Sequence, residues 1–234
     1  MSLANIQSAV ESLIARTEPR SAVEVSAYEW RESIVPRILA LGFDARFIAE
    51  LELSAEQRAA KDECESLLVG AGAIVALTGP RGTGKTSIAA QIACERTRAW
   101  VAYYSERDAT KRPKFLRPSP RYFKTAKLVA KYKSLYADYG SIDGPALQES
   151  LEALARDCGL VVIDEWHECE DQKMRDRVLV DLIDRRYASL NDTIIISNQT
   201  AKEFATTTHA SILSRLEEHG RIIPCRWTSF RTQP

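Results

Sequence analysis

Residues 79–86 read Gly-Pro-Arg-Gly-Thr-Gly-Lys-Thr, and the rest of the chain is best read outward from them. The apolar run Ala73-Ile74-Val75-Ala76-Leu77-Thr78 stands in front, and Ser87-Ile88-Ala89-Ala90-Gln91-Ile92 follows. Strand, glycine turn and helix supply the context in which this spacing marks a phosphate-binding loop. Glycines let the backbone fold back until successive N–H groups face phosphate oxygens, and the helix start adds its positive dipole end. Gly79, Pro80, Arg81, Gly82, Thr83, Gly84, Lys85, Thr86 and Ser87 are therefore expected to hold a nucleotide. Lys85 would neutralise the β- and γ-phosphates, and the Thr86 hydroxyl would ligate Mg²⁺.

The pattern continues downstream. Leu160-Val161-Val162-Ile163 is apolar throughout and Thr193-Ile194-Ile195-Ile196-Ser197 has an unbroken apolar centre, as expected of strands covered on both faces. Trp100–Tyr104 reads as a further strand and Arg221–Arg226 as the last one. Helices are expected from Ser54, whose spacing to Gln57 makes a capping box, to about Leu68. Others are expected at about Phe123–Tyr136, Pro145–Asp157 and Ala210–His219, and around Met174, Val178, Leu182 and Ile183. Residues 105–121 read as a basic loop with Pro113, Pro118 and Pro120. Strands alternating with helices predict an α/β fold, a parallel sheet with helices on both faces.

Ligands of such sheets bind beyond the carboxyl ends of the strands. Two further strand ends turn polar there. Asp164-Glu165 follows Ile163, and Asn198 follows Ser197. Asp164 would complete the Mg²⁺ shell, Glu165 would orient and deprotonate an attacking water, and Asn198 would touch the γ-phosphate or that water. Phosphoryl transfer also calls for an arginine near the γ-phosphate. Only Arg81 stands beside these motifs, so Arg215 is expected to act on a neighbouring subunit, with Arg185 and Arg186 as rivals. That predicts self-association through the nucleotide site, which takes ATP or GTP, and slow turnover by an isolated monomer.

Residues 1–53 read as a small helical extension, with Ile6, Val10, Leu13 and Ile14 on one face and Asp44 capping a short helix that buries Phe47, Ile48 and Leu51; residues 54–234 form the nucleotide-binding domain. The five cysteines are scattered without a Cys-x-x-Cys pair, which points to a reducing compartment rather than a disulfide framework. His167-x-Cys169 lacks two further ligands for zinc. No signal-peptide core and no membrane-length apolar run are present, so a cytoplasmic protein without membrane contact is expected.

The net charge of zero hides a separation: residues 96–133 hold twelve basic and two acidic side chains, residues 143–184 four basic and twelve acidic. Such asymmetry suits a polar interaction surface. Lys124, Lys127 and Lys131 fall at i, i+3 and i+7 of the helix expected from Phe123, with Tyr132 and Tyr136 nearby. Lysines for a backbone and aromatics for bases make up a single-strand groove, although lysines on a helix are more often simply solvated.

With these motifs in place, the chain resembles the AAA+ ATPases, and among them the DnaC/IstB-type helicase loaders and transposition helpers, over about residues 54–230. The resemblance rests on Gly79–Thr86, Leu160–Glu165 and Thr193–Asn198, together with Asp184-Arg185-Arg186-Tyr187, Ile212–Leu216 and Trp227-Thr228-Ser229-Phe230-Arg231. The short stretch after the last strand matches that group's missing helical lid. Trp166-His167 after Glu165, and the basic stretch 105–121, depart from the family pattern. The resemblance implies ATP hydrolysis, a grip on single-stranded DNA, and a hexameric replicative helicase bound through the N-terminal extension. An IstB-like transposition helper on duplex DNA is the alternative. A P-loop kinase fits less well, since Glu165 and Asn198 favour water as the acceptor.

Overall fold

The computed structural model describes residues 39–229 except 41, 45–46, 48–52, 106–119, 138–148 and 150–151, and only the backbone of residues 99–105 and 134–137. The expected N-terminal helix, Ile48 and Leu51, and most of the basic loop lie outside the described residues. So do Tyr136's side chain and the first part of the helix expected at residues 145–157, of which residues 152–156 are helical.

The elements run α1 (Ala55–Leu67), β1 (Ile74–Thr78), α2 (Lys85–Ser105), β2 (Arg121–Lys124), α3 (Thr125–Ala137) and β3 (Leu160–Asp164). They continue with α4 (Gln172–Ala188), β4 (Asp192–Ser197), α5 (Ala201–Thr207), α6 (Ala210–His219) and β5 (Gly220–Pro224). The five strands form one sheet in the order β2-β3-β4-β1-β5, and every pairing is parallel. β1 therefore lies inside the sheet, with Ile74 opposite both Thr193 and Gly220.

Alternation along the apolar strands divides the core between the two faces. Val75, Leu77, Leu160, Val162, Ile194 and Ile196 pack with side chains of α1 and α2. Ile74, Ala76, Val161, Ile163 and Ile195 pack on the other side with α3, α4, α5 and α6. Each fully buried Leu or Ile contributes about 1.5–3 kcal/mol. Helices cover both faces, as the continuous apolar runs require.

Local signals explain most boundaries. Ser54 and Gln57 form the expected reciprocal capping box at the start of α1. Pro224 lacks an N–H and ends β5, which lies at the sheet edge where that loss is tolerated. Gly220 is needed because a Cβ there would strike the Ile74 carbonyl.

Two expectations fail. Trp100–Tyr104 is not a strand: α2 runs through it to Ser105. No Gly or Pro lies between Lys85 and Ser105, and extending an existing helix is far cheaper than nucleating a new element. The strand beside β3 is instead Arg121–Lys124, which moves the start of the following helix from Phe123 to Thr125. Helix α5 went unforeseen, although Thr200 and Glu203 form a capping box in front of it.

Candidate nucleotide site at the carboxyl edge of the sheet

The glycine loop between β1 and α2 has the backbone its composition demands. Gly79, Gly82 and Gly84 take φ values of 136°, 86° and 82°, a region closed to most side chains. A Cβ at Gly79 would meet the Cys225 carbonyl, and one at Gly84 the Gln57 amide. Two side chains from distant elements brace the loop at one atom. The Thr83 carbonyl accepts from Gln57 Nε2 at 3.1 Å and from Trp227 Nε1 at 2.6 Å. Lys85 is buried, its ammonium donating to the Gly79 and Pro80 carbonyls at 2.7 and 2.6 Å.

Asp164 ends β3 facing this loop. Its Oδ2 accepts from Thr86 Oγ1 and from the Tyr122 hydroxyl, both at 2.8 Å. Glu165 follows with φ 56°, a conformation that costs of order 1–3 kcal/mol outside glycine and clusters at functional sites. Its N–H donates to Asp164 Oδ1 at 2.7 Å, and its carboxylate pairs with Lys124 Nζ at 2.5 Å. Lys85, Thr86, Asp164, Glu165 and Asn198 all line one cavity of about 660 Å³, together with Arg81, Ser87 and Lys124. The residues expected from three separate strand ends are thus brought to one place.

The donor set fits a magnesium ion shared with phosphates. Thr86 and Asp164 present oxygens to one point, and Mg²⁺ in such sites takes only one or two protein ligands beside phosphate and water. Among the described residues no cluster of three or more His, Cys, Asp or Glu side chains is arranged to hold a metal by itself.

The segment after Glu165 ties β3 to the end of β4. Trp166 is buried, its backbone N–H donating to the Ile196 carbonyl at 3.1 Å and its indole to Thr208 Oγ1 at 3.3 Å. The His167 ring lies 3.4 Å from Ser197 Oγ and 2.9 Å from Thr207 Oγ1. Burial, helped by Arg175, pushes the His167 pKa down to about 4. Glu168 accepts from Arg81 at 2.6 Å and from Asn198 at 2.9 Å; the Arg81 guanidinium holds its carboxyl below the usual range.

Sequence reasoning missed Gln57, Tyr122, Glu168 and Trp227. Three of them reach the site from other elements, which no spacing rule can reveal, and Glu168 follows Glu165 too closely to look like a separate group.

Two placements differ from the sequence reading. Lys124 does not share a helical face with Lys127 and Lys131: it ends β2, and its ammonium faces Glu165 inside the cavity. Tyr132 is buried in the core and offers no face for stacking a base. Lys127 is exposed and Lys131 half-buried on α3. Of the arginines, Arg186 is wholly buried. It donates to the carbonyls of Leu154 and Cys158 at 2.7 and 2.9 Å, and to Thr193 Oγ1 at 3.0 Å. That removes it as a rival to Arg215. Arg185 pairs with Asp181, one turn back, at 3.0 Å. Arg215 is not among the residues lining the cavity; it pairs with Asp184 at 3.0 Å, its guanidinium 5.6 Å from the centre of the Tyr187 ring.

A sequence model of the IstB-like ATP-binding proteins matches residues 43–234. The chain belongs to this family. Its match begins at Phe43, which is buried with Leu53 in the α1–α2 side of the core, its ring 4.8 Å from that of Tyr122. Among solved structures, the fold is similar to the DnaC helicase loader, with a TM-score of 0.54 and 16% identity over 76% of this chain and 94% of that one. It is similar to DnaI as well, with a TM-score of 0.55 and 17% identity over 78% and 94%. AMPPCP-bound DnaA from Aquifex aeolicus matches at a TM-score of 0.50 and 13% identity, over 74% of this chain and 48% of that one. Among curated protein sequences no relative matches the chain. This IstB-like protein therefore has the AAA+ P-loop fold and a nucleotide site. Among its described residues no helix is long and apolar enough to cross a membrane.

Proposed function

We propose that this IstB-like protein hydrolyses ATP as a self-associating assembly and uses the cycle to place a hexameric replicative helicase on single-stranded DNA. The observation that carries the ATPase reading is the convergence of Lys85, Thr86, Asp164, Glu165 and Asn198 on one cavity. Bound ATP supplies the phosphoryl group, and Mg²⁺ would be held by Thr86 and Asp164. Lys85 stabilises the negative charge that moves towards the leaving oxygen. Glu165, released from Lys124, takes the proton of the attacking water, and Asn198 orients that water. Arg215, which lies outside the cavity of its own subunit, is assigned to the cavity of the next one, so that hydrolysis waits for assembly.

The helicase reading is supported by likeness in fold to the DnaC helicase loader and to DnaI. Residues 1–53 are assigned to the helicase and residues 54–234 to ATP, with Phe43 and Leu53, at the end of the first segment, anchored in the core of the second, while Lys127 and Lys131 are the lysines assigned to DNA. A second reading, an IstB-like transposition helper on duplex DNA, is favoured by the family match itself. One experiment separates them: capture of a purified hexameric replicative helicase, with and without ATP, alongside binding to single- and double-stranded oligonucleotides. Capture of the helicase and preference for single strands support the loader. Duplex preference without capture transfers the assignment to the transposition helper.

A further inference from the structure

Glu168 has no part in the hydrolysis scheme, yet it lines the same cavity as Lys85, Thr86 and Asp164. A single oxygen, Oε1, accepts from Arg81 Nη2 at 2.6 Å and from Asn198 Nδ2 at 2.9 Å. Those donors come from different elements, Arg81 from the glycine loop and Asn198 from the end of β4. Both are of the type that a terminal phosphate recruits. The carboxylate is held there by its backbone: the neighbouring Trp166 is anchored to Ile196 and Thr208, and the Glu168 N–H donates to the Glu165 carbonyl at 2.8 Å. Its side chain is still 39% exposed, and ion pairs as open as this are worth only about 0–1 kcal/mol. The contact is firm in position and cheap to exchange.

We propose that Glu168 is a tethered anion that competes with the terminal phosphate of a nucleoside triphosphate for Arg81 and Asn198, and so sets how strongly the site prefers triphosphate to diphosphate. The inference rests on the ATP reading above. A diphosphate leaves the Glu168 contacts intact. A triphosphate must displace them, because two anions cannot share these donors without like-charge repulsion. After the terminal phosphate departs, the carboxylate reclaims both donors and returns the cavity to the arrangement described above.

The test is equilibrium binding of ADP and of a non-hydrolysable ATP analogue to the full chain, measured by calorimetry. Glu168→Gln keeps the shape and removes the charge. It is expected to tighten analogue binding roughly three- to fivefold and ADP binding by less than about twofold. Glu170→Gln removes an exposed charge two residues away and should leave the ratio alone. With Arg81→Gln and Asn198→Ala already present, Glu168→Gln should lose its effect. Equal shifts for both nucleotides, no shift, or a shift that survives in that background would overturn the competition. Wild-type protein that binds neither nucleotide would instead sink the ATP reading, and this inference with it.

Discussion

The two ends of the central sheet hold their polar side chains in different ways. At the amino end the polar and charged side chains bind mainly the backbone. Arg186 holds the carbonyls of Leu154 and Cys158, Asp192 accepts from the N–H groups of Gly70 and Ala73 at 2.8 and 3.1 Å, and Asn191 donates to the carbonyls of Ala155 and Arg156. At the carboxyl end side chains mostly bind one another, Lys124 with Glu165, Arg81 with Glu168 and Thr86 with Asp164, while buried Lys85 holds the Gly79 and Pro80 carbonyls of the glycine loop. The buried backbone contacts of the amino end close the sheet and persist as long as the fold does. The side-chain partners at the carboxyl end, and the loop carbonyls held by Lys85, can be traded for a ligand. The first end fastens the sheet and the second is free to work.

The sharpest way to break this contrast is to treat two arginines alike. Arg215→Ala should lower ATP turnover of the assembled protein by about 1,000-fold, the scale of a missing arginine finger. Its melting temperature should barely move. Mixing it with Lys85→Ala subunits should restore part of the rate, since each variant supplies what the other lacks. A mixture no faster than its components would remove Arg215 from the neighbour's site. Glu165→Gln comes next, with turnover lowered by about 100-fold or more and ATP affinity kept, to be read by single-turnover kinetics beside calorimetry. If affinity fell with the rate, Glu165 would be holding the nucleotide rather than the water.

Arg186→Met should do the reverse. Several acceptors would lose their donor in a site closed to water, a loss of about 3–5 kcal/mol. For a chain of this size that lowers the melting temperature by about 10 °C. Molecules still folded at low temperature should keep their nucleotide affinity. Thermal melts followed by binding to the folded fraction would decide it, and a stable but non-binding Arg186→Met would erase the division between the two ends.

How far the sequence reveals all this depends on distance along the chain. The glycine loop is contiguous, and Asp164-Glu165 and Asn198 sit where apolar runs stop, so each could be read in place. Lys124 could not. Its helical partners Lys127 and Lys131 suggested a shared face, but Phe123 and Lys124 belong to a strand as short as Arg121–Lys124, which leaves hardly any periodicity to detect. The charge separation is also less open than it reads. The basic and acidic segments meet in space, through Lys124–Glu165 and through Lys133–Asp171 at 2.7 Å, so part of each is spent internally. Arg186 reads as a rival to Arg215 because nothing in Asp184-Arg185-Arg186-Tyr187 tells which of two adjacent guanidinium groups faces the core.

His167 tests the boundary between the two kinds of chemistry, because it stands at the working end but is held like a structural group. Its ring is wedged between Ser197 and Thr207, edge-on to Phe204 with centroids 6.0 Å apart. Arg175 disfavours its protonation and Asp176 only partly opposes this. The folded pKa of about 4 lies below the ordinary 6.5, so between those values the unfolded chain binds a proton that the folded chain refuses. Stability therefore falls as the pH drops from about 6.5 towards 4 and levels off below. Above 6.5 both states are neutral and His167 adds no slope. His167→Asn should flatten this part of the profile in melts taken at half-unit pH intervals, against a background of carboxylates that titrate mainly below pH 5. A wild-type slope that survives the substitution would mean that the ring takes its proton in the folded protein, and that its grip on Ser197 is as exchangeable as the ion pairs around it.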